Sequence, residues 1–186
     1  MSKPRTELLD LLTKLSFERR QIVLSSGRPS DWYIDCKQTI LNPDGMALTG
    51  TVLVDMWQQQ GFDIEAVGGP TLGADPMTCA FVLQARRRGL FLPGFFIRKE
   101  AKGHGTMAYV EGIRSMEKGS TVLVLEDVIT TGASSIRAIR RLQEAGFKVA
   151  ALFCLVDRED GGREAIEALG VPVTPCFTRA DFIRDE

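Results

Sequence analysis

Apolar residues recur along this chain in two rhythms, one helical and one of short unbroken runs. Leu8, Leu11, Leu12 and Leu15 fall on one helical face behind Pro4, which suits a first turn. They predict a helix from Pro4 to about Arg19. Residues 22–24 and 32–34 then flank Ser25-Ser26-Gly27-Arg28-Pro29-Ser30, which reads as two short strands and a turn. Asn42-Pro43-Asp44 is a helix start, with a capping amide, a proline and a first-turn acid. That helix carries Leu48, Val52, Leu53, Met56 and Trp57 and stops at Gly61. Thereafter strands are predicted over 64–67, 95–98, 122–125, 149–156 and 171–177. The helices between them hold Met77, Ala80 and Phe81 up to about Gly89, then span 134–145 and 163–169.

Strands alternating with helices imply right-handed crossovers. The expected fold class is α/β: a doubly wound, mostly parallel sheet with flanking helices and a small N-terminal hood. One domain is expected over 1–186, with the hood over about 1–40 and the α/β core over 41–178. In such folds ligands bind beyond the carboxyl ends of the strands. That rule selects 68–73, 99–106, 126–134 and 157–162.

Composition narrows the classes of partner. The net charge of −1 gives no electrostatic case for nucleic acid or a membrane surface, so any anion site must be built locally. The apolar runs fall far short of the roughly 20 residues a spanning helix needs, and the first ten residues lack the apolar core of a signal peptide. A cytoplasmic protein is expected. Cys36, Cys79, Cys154 and Cys176 show no CxxC pair, and the chain has one histidine. A zinc site is therefore disfavoured, and four buried reduced thiols are expected.

The segment Val122-Leu123-Val124-Leu125-Glu126-Asp127-Val128-Ile129-Thr130-Thr131-Gly132-Ala133-Ser134 concentrates the chemistry. An apolar strand runs into two adjacent carboxylates, then into a hydroxyl- and Gly-bearing turn that opens a helix. Free backbone N–H groups and the helix dipole suit such a turn to a phosphate. The segment contains neither GxxxxGK[ST] nor GxGxxG, which disfavours a nucleoside triphosphatase or a dinucleotide site. It resembles the phosphoribosyl diphosphate-binding segment of type I phosphoribosyltransferases. The resemblance implies that Glu126 and Asp127 face the ribose hydroxyls. It also places Val128, Ile129, Thr130, Thr131, Gly132, Ala133 and Ser134 against the donor, with 129–134 around its 5′-phosphate.

A second cluster, Arg98-Lys99-Glu100-Ala101-Lys102-Gly103-His104-Gly105-Thr106, crowds three cations and the single histidine into a Gly-bearing loop. A diphosphate leaving group calls for such charge-assisted donors and a proton source. Here the chain is similar to one family, the orotate phosphoribosyltransferases, whose mobile catalytic loop reaches into the neighbouring subunit. Leu24-Ser25-Ser26-Gly27-Arg28, Tyr33-Ile34-Asp35 and Val156-Asp157-Arg158 fit the same family.

That likeness implies transfer of 5-phosphoribosyl to N1 of orotate in pyrimidine biosynthesis, and a homodimer with shared active sites. It implies roles for Arg98, Lys99, Lys102 and His104 at the diphosphate, with Lys102, His104, Lys99 and Asp127 catalytic. Thr130 and Arg158 fall to the orotate carboxylate. Mg²⁺ is implied, held mainly through substrate and water rather than by side-chain ligation. Ser25, Thr71, Leu72 and Gly73 are placed near the site. Many family members carry lysines where Ser25 and Leu72 stand; their loss either weakens binding or shifts the burden to Arg28, Lys37 or Mg²⁺. A purine-type transferase, or a non-catalytic regulator sensing the donor, is the alternative reading.

Other charged stretches have plainer readings. Arg86-Arg87-Arg88 ends a helix, and Arg137, Arg140 and Arg141 form a solvated face. Trp57 and Phe81 belong to a core or subunit interface. Asp181, Arg184, Asp185 and Glu186 form a solvated tail.

Overall fold

The computed structural model describes residues 1–23, 27, 29–101, 109–112, 114 and 116–183. Helix α1 (Lys3–Leu15) buries Leu8 and Leu12 and stops four residues short of the expected end. The reason is tertiary. Phe17 begins strand β1 (Phe17–Val23), which pairs antiparallel with β2 (Pro29–Ile34). Its ring lies 6.1 Å from that of Trp32 and 5.7 Å from that of Phe182. Aromatic burial from three parts of the chain overrides one more turn of helix. A four-residue helix α2 (Lys37–Ile40), which hydrophobic periodicity did not signal, leads into α3 (Pro43–Gln60). The Asn42 side chain caps α3, accepting from the Asp44 and Gly45 N–H groups at 3.0 and 3.3 Å, and Gly61 closes it in a left-handed conformation.

The remaining elements are β3 (Ala66–Pro70), α4 (Ala74–Arg87), β4 (Gly94–Ile97), β5 (Val110–Glu111) and β6 (Thr121–Ile129). They continue as α5 (Ala133–Glu144), β7 (Lys148–Asp157), α6 (Gly162–Glu167), β8 (Val173–Thr178) and α7 (Arg179–Phe182). The six-stranded sheet has the order β5-β4-β3-β6-β7-β8, parallel except for the two-residue edge strand β5. This is the expected α/β architecture. Strand β5 and helix α7 were not foreseen. Asp181 caps α7 rather than trailing into solvent, its carboxylate accepting from the Thr178 N–H at 2.9 Å. Strand β6 also runs through Glu126 and Asp127 instead of ending before them.

Alternation along β6 divides the core. Leu123 and Leu125 join Val67, Phe153 and the inner faces of α1, α3 and α4 on one side of the sheet. Val122 and Val124 join Leu152, Cys154, Ile139 and Leu142 on the other, under α5 and α6. Both faces are covered, which is why these strands read as unbroken apolar runs. Cys36, Cys154 and Cys176 are buried, whereas Cys79 is exposed on α4, against the expectation of four buried thiols. Among the described residues no helix is long and apolar enough to cross a membrane.

Phe153 is fully buried in β7, with its ring 6.1 Å from that of Phe62. Phe153→Ala is expected to cost about 3–5 kcal/mol of stability, read as a lower urea midpoint at unchanged m-value.

Candidate active site

The strand order creates a switch point. From β3 the chain crosses through α4 to β4 on one side, and from β6 it crosses through α5 to β7 on the other. Helices α4 and α5 thus leave adjacent strands for opposite faces of the sheet, opening a crevice beyond their carboxyl ends. A cleft of three adjoining lobes lies there. The first, about 450 Å³, is walled by Thr71, Leu72, Gly73, Arg98, Lys99 and Asp127, with Glu126 and α5 behind. A second of about 450 Å³ lies over the turn at Thr130, Thr131, Gly132, Ala133 and Ser134. The third, about 310 Å³, is bounded by Tyr33, Asp35, Val128, Thr130 and Arg158. Lys37 and Asp127 belong to the first and third lobes, Ser134 and Arg137 to the first and second, and Val128 and Thr130 to the second and third.

The two acids leave β6 on opposite sides, but their carboxyl groups interact at the strand's end and both border the first lobe. Glu126 turns toward α5, is only 5% exposed, and accepts hydrogen bonds from the hydroxyls of Ser135 at 2.7 Å and Ser134 at 3.1 Å. Burial, reinforced by the adjacent Asp127 charge, pushes its pKa up to about 8. Its carboxyl lies in the wall of the first lobe, beside Asp127. Asp127 accepts from Lys37 Nζ at 3.4 Å. Lys37 is also 2.8 Å from Asp35. Burial opposes the Lys37 charge, but the bond to Asp35 and the negative charges of Asp127 and Asp35 raise its pKa overall. A Cβ on Gly73 would sit 2.3 Å from the Asp127 carboxylate, so only glycine lets this strand end and the 70–73 turn meet. The Thr71–Leu72 peptide in that turn is cis.

The turn itself is built for an anion. Gly132 takes a left-handed φ of 74° immediately before α5, leaving the first amides of the helix aimed outward. Thr130, Thr131 and Ser134 line the space with hydroxyls. Ile129 does not: its side chain is buried in the core, and its carbonyl accepts from the Arg158 N–H at 3.0 Å. In the third lobe the Arg158 guanidinium carbon lies over the Trp32 ring, 3.9 Å from its centroid. Nη2 donates to Ser30 Oγ at 2.8 Å, and Nε to Asp160 at 3.2 Å. Arg158 is 4% exposed, a buried charge held by polar partners and an aromatic face.

One correction concerns α5. Ser134, Arg137, Ala138 and Arg141 fall at i, i+3, i+4 and i+7 and line the first lobe; Arg137 is exposed there, whereas Arg141 is half-buried and does not belong to a solvated face. Arg141 donates to the carbonyls of Arg98 at 2.6 Å and Lys99 at 3.1 Å, and stacks 4.0 Å over the Tyr109 ring. Reading the helical stripe onward from Ser134 was the sequence signal that would have found both. Trp32 and Ser30, the cradle of Arg158, carried no comparable signal. Arg98 Nη1 pairs with Glu111 at 3.1 Å. The proposed catalytic residues Lys102 and His104, and Ser25, lie outside the described residues.

A fold with an anion turn, paired acids and a basic cleft at its switch point defines a phosphoribosyl transferase. The family described as "Phosphoribosyl transferase domain" matches residues 80–170. An orotate phosphoribosyltransferase from Sorangium cellulosum is 46% identical over 97% of this chain and 94% of its own. A crystal structure of the Mycobacterium tuberculosis orotate phosphoribosyltransferase with Fe(III) dicitrate has a TM-score of 0.82 at 36% identity. It covers 96% of this chain and 98% of that one. The same enzyme with 5-phospho-alpha-D-ribosyl 1-diphosphate aligns at a TM-score of 0.78 and 34% identity, over 96% and 98%. The chain belongs to the orotate phosphoribosyltransferase family.

Glu126 also dictates a pH response. Its folded pKa lies above the ordinary 4.5, so between 4.5 and about 8 the folded state holds a proton that the unfolded state has lost. Stability of the ligand-free protein then falls as pH rises through this window. Glu126→Gln is expected to flatten that decline: relative to wild type, its melting temperature gains more at pH 8 than at pH 5 in thermal scans.

Proposed function

We propose that this protein transfers 5-phosphoribosyl from its 1-diphosphate to N1 of orotate, giving orotidine 5′-phosphate and diphosphate, a step of pyrimidine biosynthesis. The observation that carries the reading is Arg158. Its guanidinium, over the Trp32 ring at 3.9 Å, borders a small lobe beside Thr130. A guanidinium can grip a carboxylate with two parallel N–H bonds. Orotate has such a carboxylate and a purine base has none.

The donor fits the other two lobes. Its 5′-phosphate sits in the 130–134 turn, accepting from backbone amides and hydroxyls, and its diphosphate enters the lobe beside Thr71, Leu72 and Gly73. As the C1–O bond to diphosphate breaks, positive charge develops on the ribose and N1 of orotate supplies the new bond, its proton passing to solvent or base. Asp127 stands at the junction of the first and third lobes, where the ribose would bridge them. Lys99, with Lys102 and His104 by the likeness of their loop, takes up charge on the departing diphosphate.

Mg²⁺ binding is part of the proposal. Among the described residues no three His, Cys, Asp or Glu side chains are grouped to hold a metal ion. One cleft carboxylate, Asp127, together with donor phosphates and water is a donor set that suits magnesium. Bound there, the ion offsets diphosphate charge. A homodimer in which Lys102 and His104 serve the neighbouring site, while Lys99 lines its own, is proposed on the likeness of that loop.

Protein incubated with donor, Mg²⁺ and orotate should consume orotate, followed by loss of its absorbance. Turnover with purines and not orotate overturns the proposal. Arg158→Lys, which keeps charge but loses the fork, should raise the orotate KM by about tenfold or more and leave the donor KM near that of wild type.

A further inference from the structure

We propose that Arg137 binds the diphosphate of the phosphoribosyl donor. The inference rests on the donor reading above and adds a residue to it. Four cations besides Arg137 line the first lobe, and three are already engaged. Lys37 lies 2.8 Å from Asp35 and 3.4 Å from Asp127, and Arg98 lies 3.1 Å from Glu111. Arg141 is spent on two backbone carbonyls and the Tyr109 ring. Only Lys99 has, like Arg137, a side chain with no hydrogen bond or ion pair to another described residue.

The lobe needs a free cation. Two carboxyl groups, Glu126 and Asp127, border it, and Leu72 presents an uncharged side chain 71% exposed at its rim. Diphosphate brought beside the Asp127 carboxylate meets repulsion unless compensated, and a guanidinium supplies two parallel donors to phosphoryl oxygens. Arg137 stands on the wall common to this lobe and the turn. The turn has amides and three hydroxyl side chains of its own, so the unmet demand is on the diphosphate side. Arg137 rises from α5 one turn after Ser134, whose hydroxyl is held by Glu126 at 3.1 Å. Its base is therefore fixed to the same strand end that carries the acids, while its head is free to meet a ligand.

Calorimetric titration with inorganic diphosphate in Mg²⁺ buffer tests this without turnover. Arg137→Ala should weaken diphosphate roughly tenfold and leave ribose 5-phosphate binding as in wild type. Arg137→Lys should recover part of the loss, and Arg140→Ala, on an exposed face of the same helix, should change neither. Unchanged diphosphate affinity in Arg137→Ala overturns the proposal, as does a loss confined to ribose 5-phosphate. The orotate assay is separate: a wild-type protein that ignores orotate but loses diphosphate binding on Arg137→Ala defeats the acceptor assignment and upholds this one.

Discussion

Two neighbouring carboxyl groups close the end of β6, near enough to act on each other, and the cleft is arranged around satisfying both. The pleat of β6 sends Glu126 to the α5 side and Asp127 to the side of α2 and the 70–73 turn. Each face must then neutralise or satisfy one acid. On one side two serine hydroxyls from the start of α5 receive Glu126, which fixes the helix start and with it the phosphate turn. On the other, Lys37 and the bare Cα of Gly73 receive Asp127, which draws the N-terminal segment and the β3–α4 turn into contact with β6.

Much of this was legible in the sequence because it rests on local rules. The caps at Asn42 and Gly61, the apolar runs of a sheet covered on both faces, and the strand–acid–turn–helix order follow from neighbours a few residues apart. What escaped was long-range. The end of α1 depended on Phe17 finding Trp32 and Phe182. Exposure of Cys79 depended on which face of α4 the sheet took. Strand β6 was expected to end before Glu126 and Asp127, when it in fact continues through both to Ile129. Arg141 was misread because a charged helical stripe looks solvated until the opposite wall of a cleft is known.

The chain's near-zero net charge obliges its anion site to be assembled from paired cations rather than from a general positive field. Lys37, Arg98, Arg141 and Arg158 each hold a carboxylate, a carbonyl or an aromatic face in the ligand-free protein. Such contacts fix their heads in advance, lowering the ordering cost when a ligand arrives. They also keep like charges from scattering the walls of the empty cleft.

The seat of Arg158 on Trp32 ties the third lobe to the small N-terminal ribbon, whereas the turn and the diphosphate lobe are built mostly from the parallel sheet, the turns at its strand ends and helix α5. Acceptor recognition and donor grip therefore draw on different stretches of chain. On the proposed reading, substitutions in β2 can alter which base is accepted while the costly machinery for the sugar phosphate stays intact. A fold divided in this way can acquire new acceptors by changing its ribbon and keeping its sheet.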